Sequence, residues 1–550
     1  MTGPTPLSEA NRQVGILVEP GTDFAVAMFA AWTAGLGILP LPVEFPDARL
    51  TTMITDCRPL ALLASPHQTE RARRLVDGAT DIRVLGLPAE ESGPADGPPV
   101  TTPPDHPAFT VYTSGSTGRP KGVLIRESQV SALLAWETRT WKLGPWVRMA
   151  QTLSLGFDFG LQELFTALPA GGTLIVPKAA DRRNAKTYAE FLRRERVSVL
   201  FTTPSFTDEL AAALVPLPDL RLVLIGGEVL HWSTVEALER VVTPECRLVN
   251  GYGPTEATVN CLAYDIPRDP QGRDEPTGIV PVGRASASAT IHLLDQHGLP
   301  VPVGAVGSVS IGGPGVADGY LHRPDLSAQR FVKGPGQGLR RVYRSGDLAY
   351  LRRDGHFVVT GRDDRQVKLR GYRVEPAEVE WVLRQVPEVT AAAVHVVTGP
   401  QRMVAVVGGG VEVKAVLGDL TAWLPAPMIP DHLVVLDELP RTPNGKLDHD
   451  EIRRLAEDTG RHAPAPDAST AQIEETICLV WRDVLHSEVV DPDRNVFDHG
   501  AHSLAATQAH GQLQALLGVP FPVSDLFEYP RPRDLAGRLG TYRRKLFGRG

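Results

Sequence analysis

Short apolar runs alternate with amphipathic stretches through roughly the first 360 residues, and this alternation restricts the fold more than any other feature. Val14–Val18, Ala61–Ala64, Thr173–Val176, Val197–Thr202 and Leu222–Ile225 are short, apolar and bounded by turn residues, as buried strands are. Between them, Ala185–Arg196 and Ser205–Leu214 space their apolar residues as helices do. Strands alternating with helices predict an α/β sheet. From Ala289 the pattern turns to short strands broken by glycine and proline, which predicts a β-rich subdomain. After Gly361 a smaller α/β unit is expected. It has strands at Val367–Leu369, Ala391–Val397 and Met403–Val407 and a helix over Pro376–Arg384, and it ends near Ala456.

Phe24 to Val43 holds twenty residues without a charge, enough to span a bilayer. Gly35, Gly37, Pro40 and Pro42 break its second half, and no basic cluster flanks it. A buried helix from Phe24 to about Ala34 and a buried strand from Gly37 to Leu41 are expected instead. The residues from Met1 to Pro6 lack the basic and apolar regions of a signal peptide. The four cysteines, Cys57, Cys246, Cys261 and Cys478, show no metal or disulfide spacing. Both observations predict a cytoplasmic protein with reduced thiols and no membrane partner. A net charge of −8 supplies no general attraction for phosphate backbones, so no nucleic-acid partner is expected.

The stretch Thr459–Asp467 is rich in proline and alanine and reads as a semi-rigid linker. Beyond it, Ser469 and Gln472 form a capping-box pattern. Ile473, Ile477, Val480, Trp481 and Val484 then share one helix face. Further helices near His502–Ser503 and over Arg533–Tyr542 complete a small all-α bundle.

Polar islands follow the predicted strands. Tyr112-Thr-Ser-Gly-Ser-Thr-Gly-Arg-Pro-Lys-Gly122 places glycines, hydroxyls and Lys121 where backbone N–H groups can face an anion. It lacks the spacing of a Walker A loop. Asn250-Gly-Tyr-Gly-Pro-Thr-Glu256 offers an aromatic face and a carboxylate for Mg²⁺. Tyr343-Arg-Ser-Gly-Asp-Leu348 offers Asp347, whose oxygens suit a ribose diol. Gly361–Gly371 is a charged run, and Pro443-Asn-Gly-Lys-Leu-Asp448 puts Lys446 on a turn.

In this order the islands resemble the ten-motif series of nonribosomal peptide synthetase adenylation domains, within the acyl-adenylate-forming superfamily. Ala34–Leu41, the TSGSTGRPKG loop, Phe157-Asp158 with Glu163, NGYGPTE, Gly307–Leu321, YRSGDL, GRDDRQVKLRGYRVEPAEVE, Leu424–Pro430 and RTPNGKLD are similar to motifs two to ten. Pro427 stands where the family usually has Tyr. Asp498-His-Gly-Ala-His-Ser503-Leu resembles the phosphopantetheine site of a peptidyl carrier protein, with Ala501 replacing a glycine. The strand-and-helix segment that relatives place before the second motif, with the first motif, is missing.

The resemblance implies five segments. They are a large α/β adenylation core over 1–362, short at its start, a small α+β lid over 363–458, a linker over 459–468, an all-α four-helix carrier bundle over 469–542, and a tail over 543–550. It also implies ATP, Mg²⁺ and 4′-phosphopantetheine as cofactors. Lys446, Glu256 and Thr113 would be catalytic, with Glu256 holding Mg²⁺. The nucleotide would lie on Thr113, Ser114, Gly115, Ser116, Thr117, Gly118 and Lys121, and on Asn250, Tyr252, Thr255, Asp347 and Arg362.

Asp158 would pair with the substrate ammonium, and Lys446 would reach its carboxylate. Phe159, Gln162, Phe201, Leu224, Gly226, Gly251, Val259 and Asn260 would line the side-chain pocket. None of these eight is charged, so a small or medium uncharged side chain is expected. Asp364 would be the hinge and Ser503 the attachment point. The implied partners are an amino acid, a phosphopantetheinyl transferase, a downstream condensation domain or tailoring enzyme, and a small activating protein. Two other readings stand beside this one. They are an aryl- or acyl-acid adenylating ligase with a carrier, which Asp158 disfavours, and a non-catalytic carrier with a vestigial or split adenylation part.

Overall fold

The computed structural model describes residues 12–78, 81–87, 100–115, 118–178, 180–269, 273, 277–334, 341–369, 372–397, 402–411, 413–440, 447–458, 470–485, 490–499, 501, 505–506, 509–510, 512–513, 517, 519 and 521–547. Lys446, Ser503, Ser116 and Thr117 lie outside these residues, as do the linker and the capping residue Ser469. By compactness the chain divides into Met1–Val379 with Thr421–Met428, and Glu380–Leu420 with Ile429–Gly550.

The first unit holds two large sheets. One has six strands in the order Arg83–Gly86, Ala61–Ala64, Gln13–Leu17, Gly37–Pro40, Pro107–Thr113 and Lys121–Arg126. All its pairs are parallel except the last, which is antiparallel. The uncharged stretch becomes the helix Thr22–Thr33 and the fully buried strand Gly37–Pro40, as its breakers predict. No helix among the described residues is long and apolar enough to cross a membrane.

The second sheet has seven strands in the order Arg284–Ala285, Leu262–Asp265, Arg247–Tyr252, Leu222–Gly226, Val199–Thr202, Arg148–Ala150 and Thr173–Ile175. Helices Ala185–Arg194, Pro204–Ala212 and Trp232–Glu239 connect its parallel strands. Thr173–Ile175 departs from expectation, because none of its residues is buried. It is the outermost strand, paired on one side only, and an apolar run alone does not distinguish an edge from a centre. The predicted β-rich part is an antiparallel sheet of Thr290–Leu294, Gly307–Gly312, Val342–Leu351, Phe331–Val332 and Phe357–Arg362.

The hairpin Val367–Leu369/Tyr372–Val374 follows. The sequence assigns it to the lid, but it belongs to the first compact unit, where Tyr372–Val374 packs against the turn Ala426–Met428. A buried ion pair, Arg49 Nη1 to Glu378 Oε1 at 2.6 Å, ties the start of the helix Pro376–Leu383 to the same unit. The boundary by compactness therefore falls seventeen residues later than Arg362, at Val379.

The second unit contains Ala391–Val397 antiparallel to Arg402–Gly408, with His432–Leu436 parallel to the latter. It also contains the helical bundle. Helices Thr470–Leu485, Ser524–Glu528 and Pro532–Phe547 and the helical residues Ala505, Ala506 and Ala509 gather around Ile473, Ile477, Val480 and Trp481. Trp481 is among the largest fully buried side chains. Trp481→Ala is expected to cost about 3–5 kcal/mol, read as lost amide-exchange protection across Thr470–Leu485 with protection of the large sheets unchanged.

Candidate active site

Carboxyl ends of parallel strands are where open α/β sheets expose backbone groups to a ligand. Thr113 ends the strand Pro107–Thr113, and Gly251 and Tyr252 end Arg247–Tyr252. These residues line one cavity with Asp158, Asp347 and the hairpin residues Lys368 and Arg373. Its free volume is about 90 Å3, well below the roughly 300 Å3 of a small-molecule site. A nucleotide would need more room than this, and the hairpin side chains Lys368 and Arg373 are among those that bound the space.

Asp158 begins the helix Asp158–Ala167, where a carboxylate is favoured by the helix dipole. A Cβ on Gly160 would lie 2.1 Å from the Ser154 carbonyl oxygen, so only glycine lets this first turn sit against the preceding loop. Asp158 is buried and accepts a hydrogen bond from the Phe159 N–H at 2.8 Å. Burial raises its pKa, and the Thr255 hydroxyl and the Phe159 N–H offset this only in part. Among the described residues no cation forms an ion pair with it. A ligand ammonium would supply the missing charge.

Glu256 is fully buried in the turn Thr255–Ala257. Arg373 Nη1 donates to it at 2.7 Å, Tyr320 OH donates at 2.8 Å, and Lys121 Nζ lies 3.7 Å away. Burial opposes ionisation, but Arg373 and Lys121 outweigh it and hold Glu256 well below the usual carboxylate range. Burial in turn pushes the Lys121 ammonium down to about 8. Among the described residues no group of three or more His, Cys, Asp or Glu side chains forms a metal cage. A single hard carboxylate oxygen still suits Mg²⁺, which takes most of its ligands from water and substrate phosphates. Glu256 fits that part once Arg373 has left it.

Asp347 accepts from Tyr252 OH and from Arg362 Nη1. Each of its oxygens keeps a second lone pair for a ribose hydroxyl. Arg362 also bonds Asp364, which receives Arg330 at 3.4 Å. The Lys368 ammonium sits over the Tyr252 ring at 5.5 Å, on the face where an adenine would stack. Thr113 Oγ1 is buried without a protein partner, as a phosphate-facing hydroxyl would be in the free site. Ser114 Oγ donates to the Arg373 carbonyl at 2.8 Å. Gly118 has φ +83, and a Cβ on Gly115 would meet the Arg119 carbonyl oxygen at 1.9 Å, so this loop closes only with glycines there. Asn250 does not line the cavity, and its amide holds the Val280 and Pro281 carbonyls at 3.1 and 2.9 Å.

Among the expected pocket residues, Phe159, Gly251, Val259 and Asn260 line the cavity. Gln162, Phe201, Leu224 and Gly226 stand behind them, with Phe201 stacked on Phe159 at 5.7 Å. Thr258 and Val259 adopt φ of 57° and 63°, a costly conformation for β-branched residues that recurs at functional sites. The sequence reading missed Lys368, Arg373 and Tyr320, and it missed Glu137. Glu137 lies on the buried stripe Val130, Leu133 and Trp141 of the helix Glu127–Trp141, and a carboxylate on an apolar stripe was the available signal. It accepts from Gln162 Nε2 and from Thr166 Oγ1, and Gln162 Oε1 accepts from Asn260 Nδ2 at 2.9 Å.

Burial pushes Glu137 from its ordinary 4.5 up to about 8. A carboxyl raised this way contributes stability that is full below 4.5 and lost as pH rises through 8. The stability of Glu137→Gln relative to wild type should therefore increase across that window, by at most roughly 1.4 kcal/mol per pH unit, and flatten above it. Urea unfolding at several pH values, followed by tryptophan fluorescence, checks the slope.

The family model described as AMP-binding enzyme matches residues 8–321, its C-terminal domain matches 378–446, and the phosphopantetheine attachment site model matches 475–539. The chain is 34% identical to the phosphinothricin tripeptide synthetase PhsC of Streptomyces viridochromogenes, over 97% of this chain and 48% of that protein. It is 31% identical to a dimodular nonribosomal peptide synthase of Bacillus subtilis, over 96% of this chain and 23% of that protein. Its fold resembles that of holo-PA1221, a nonribosomal peptide synthetase protein containing adenylation and carrier domains, with a TM-score of 0.72 at 24% identity. That likeness covers 98% of this chain and 91% of the other. The chain spans less than half the length of the curated relatives it matches.

Proposed function

The chain belongs to the AMP-binding enzymes and carries a phosphopantetheine attachment domain, and from that premise we propose that it activates an amino acid with ATP and loads it onto Ser503. The observation that carries this reading is Asp158, a buried carboxylate that lines the cavity and, among the described residues, forms no ion pair. A fatty or aryl acid would leave that charge unpaired, at a cost of several kcal/mol. An α-ammonium pairs it.

A carboxylate oxygen of the amino acid attacks the α-phosphorus of ATP, the bond to the β-phosphate oxygen breaks, and pyrophosphate leaves. Little covalent help is needed, so catalysis rests on positioning and charge neutralisation. Thr113 and Lys121 hold the phosphates, and Lys446 bridges the two reactants. Asp347 takes the ribose, and Tyr252 takes the base once Lys368 clears its ring. Glu256 would hold Mg²⁺, which would supply charge neutralisation for the phosphates. Ser503, a serine hydroxyl suited to a phosphodiester, would carry 4′-phosphopantetheine, which would supply a thiol for the acyl group as AMP leaves. A phosphopantetheinyl transferase is the partner that attaches this group. A condensation domain or tailoring enzyme consumes the thioester, and a small activating protein is a further partner of the family type. Asp364, bonded to Arg362 and Arg330, is the hinge residue of this reading.

A panel of amino acids in ATP–pyrophosphate exchange tests the proposal. Exchange dependent on one or a few α-amino acids is expected, and exchange with the matching deaminated acids would refute it. Asp158→Asn should reduce kcat/KM for the amino acid by roughly 10²-fold or more, with KM for ATP unchanged. Lys446→Ala should abolish exchange yet largely spare thiolation from pre-formed aminoacyl-AMP. Equal loss of both half-reactions would contradict that division of labour.

A further inference from the structure

The side-chain pocket ends on a chain of polar groups with a fixed direction. Glu137, on the helix Glu127–Trp141, is fully buried, and so is Gln162. One Glu137 oxygen accepts from Gln162 Nε2 and the other meets Thr166 Oγ1 at 2.9 Å. An ionised carboxylate has no proton to donate, so Gln162 must turn its amide N–H₂ toward it. A protonated carboxyl keeps this direction when its proton lies on the oxygen facing Thr166, whose hydroxyl can accept it while the other oxygen still accepts from Gln162. Gln162 is thereby left with Oε1 pointing away, and this oxygen receives Asn260 Nδ2 at 2.9 Å. Asn260 lines the cavity, and one N–H of its amide is committed to Gln162, which fixes which way round the amide sits. Its Oδ1 lies beside Gly251, which also lines the cavity, and is the acceptor this orientation offers to a ligand.

Resting on the amino-acid-activating reading above, we propose that Glu137 is a positioning residue that sets the polarity of this pocket. Through Gln162 it holds Asn260 Oδ1 as an acceptor, so the amino acid taken carries a hydrogen-bond donor, a hydroxyl, at the end of a small or medium side chain. Phe159 and Phe201 confine the volume, and the acceptor sorts what fits by its last atom. A site built to accept from a substrate hydroxyl discriminates strongly against the isostere without it, because the buried acceptor is then left unpaired.

The test is pyrophosphate exchange by the full chain with isosteric side chains. Threonine is set against valine, and homoserine against norvaline. The best substrate should carry the donor and exceed its apolar isostere by at least about 100-fold in kcat/KM. Glu137→Gln lets the terminal amide donate to Gln162 and reverse the whole chain. It should shrink that preference by at least about tenfold, through KM of the donor-bearing amino acid, with KM for ATP unchanged. Glu137→Leu, which preserves volume, should do the same if it folds. Glu137→Gln, being isosteric, keeps the test open if it does not. A best substrate without a donor overturns the proposal, and so does an equal loss on both members of a pair. Exchange with no amino acid at all overturns the functional reading itself, and this inference with it.

Discussion

Glu256 is the carboxylate on which the site is organised. Its turn follows a strand of the second sheet, Lys121 comes from the first sheet, Tyr320 from the segment between the β-rich strands Gly307–Gly312 and Phe331–Val332, and Arg373 from the hairpin. A fully buried carboxylate persists only if paired and hydrogen-bonded, so these four parts are held together by one charge requirement. The same requirement makes the arrangement switchable. In the proposed reading a metal ion on Glu256 would compete with Arg373, whose hairpin also carries the Lys368 that covers Tyr252. Charge balance at Glu256 thus links the position of the hairpin to the contents of the cavity.

The side opposite the phosphate loop follows a different rule. Asp158 is kept short of a partner, while Glu137 is given two donors and no access to the cavity. One carboxylate waits for the ligand's charge, and the other acts at a distance through amides with only one workable orientation. The two account for recognition of the two ends of an amino acid with no charge on the pocket surface.

Much of this was legible in the residues. Ala61–Ala64 and Ala391–Val397 have the ends their apolar runs predict, and the breakers at Gly35 to Pro42 divide helix from strand as expected. The glycines and hydroxyls of the Thr113–Gly118 run announced an anion site, and Thr113 does line the cavity. Other features were hidden for physical reasons. The charged run Gly361–Gly371 looks like a solvated turn, because a sequence does not show that Lys368 is carried over the Tyr252 ring and into the cavity lining. Asn250 has the chemistry of a ligand contact, but its amide is spent on two carbonyls of a neighbouring loop. Glu137 is more than twenty residues from the nearest expected pocket position, and only packing brings it to Gln162. The late domain boundary has the same cause, since Arg49 and Glu378 pair across 329 residues of sequence.

The central claim is that one chain both activates and carries an amino acid. Intact-protein mass measurement of the phosphopantetheinylated chain, before and after ATP and amino acid are added, tests it most directly. The account predicts a gain equal to one aminoacyl group that requires ATP, is reversed by thioester cleavage and is absent from Ser503→Ala. A chain that carries phosphopantetheine on Ser503 and gains no mass with any amino acid would contradict it.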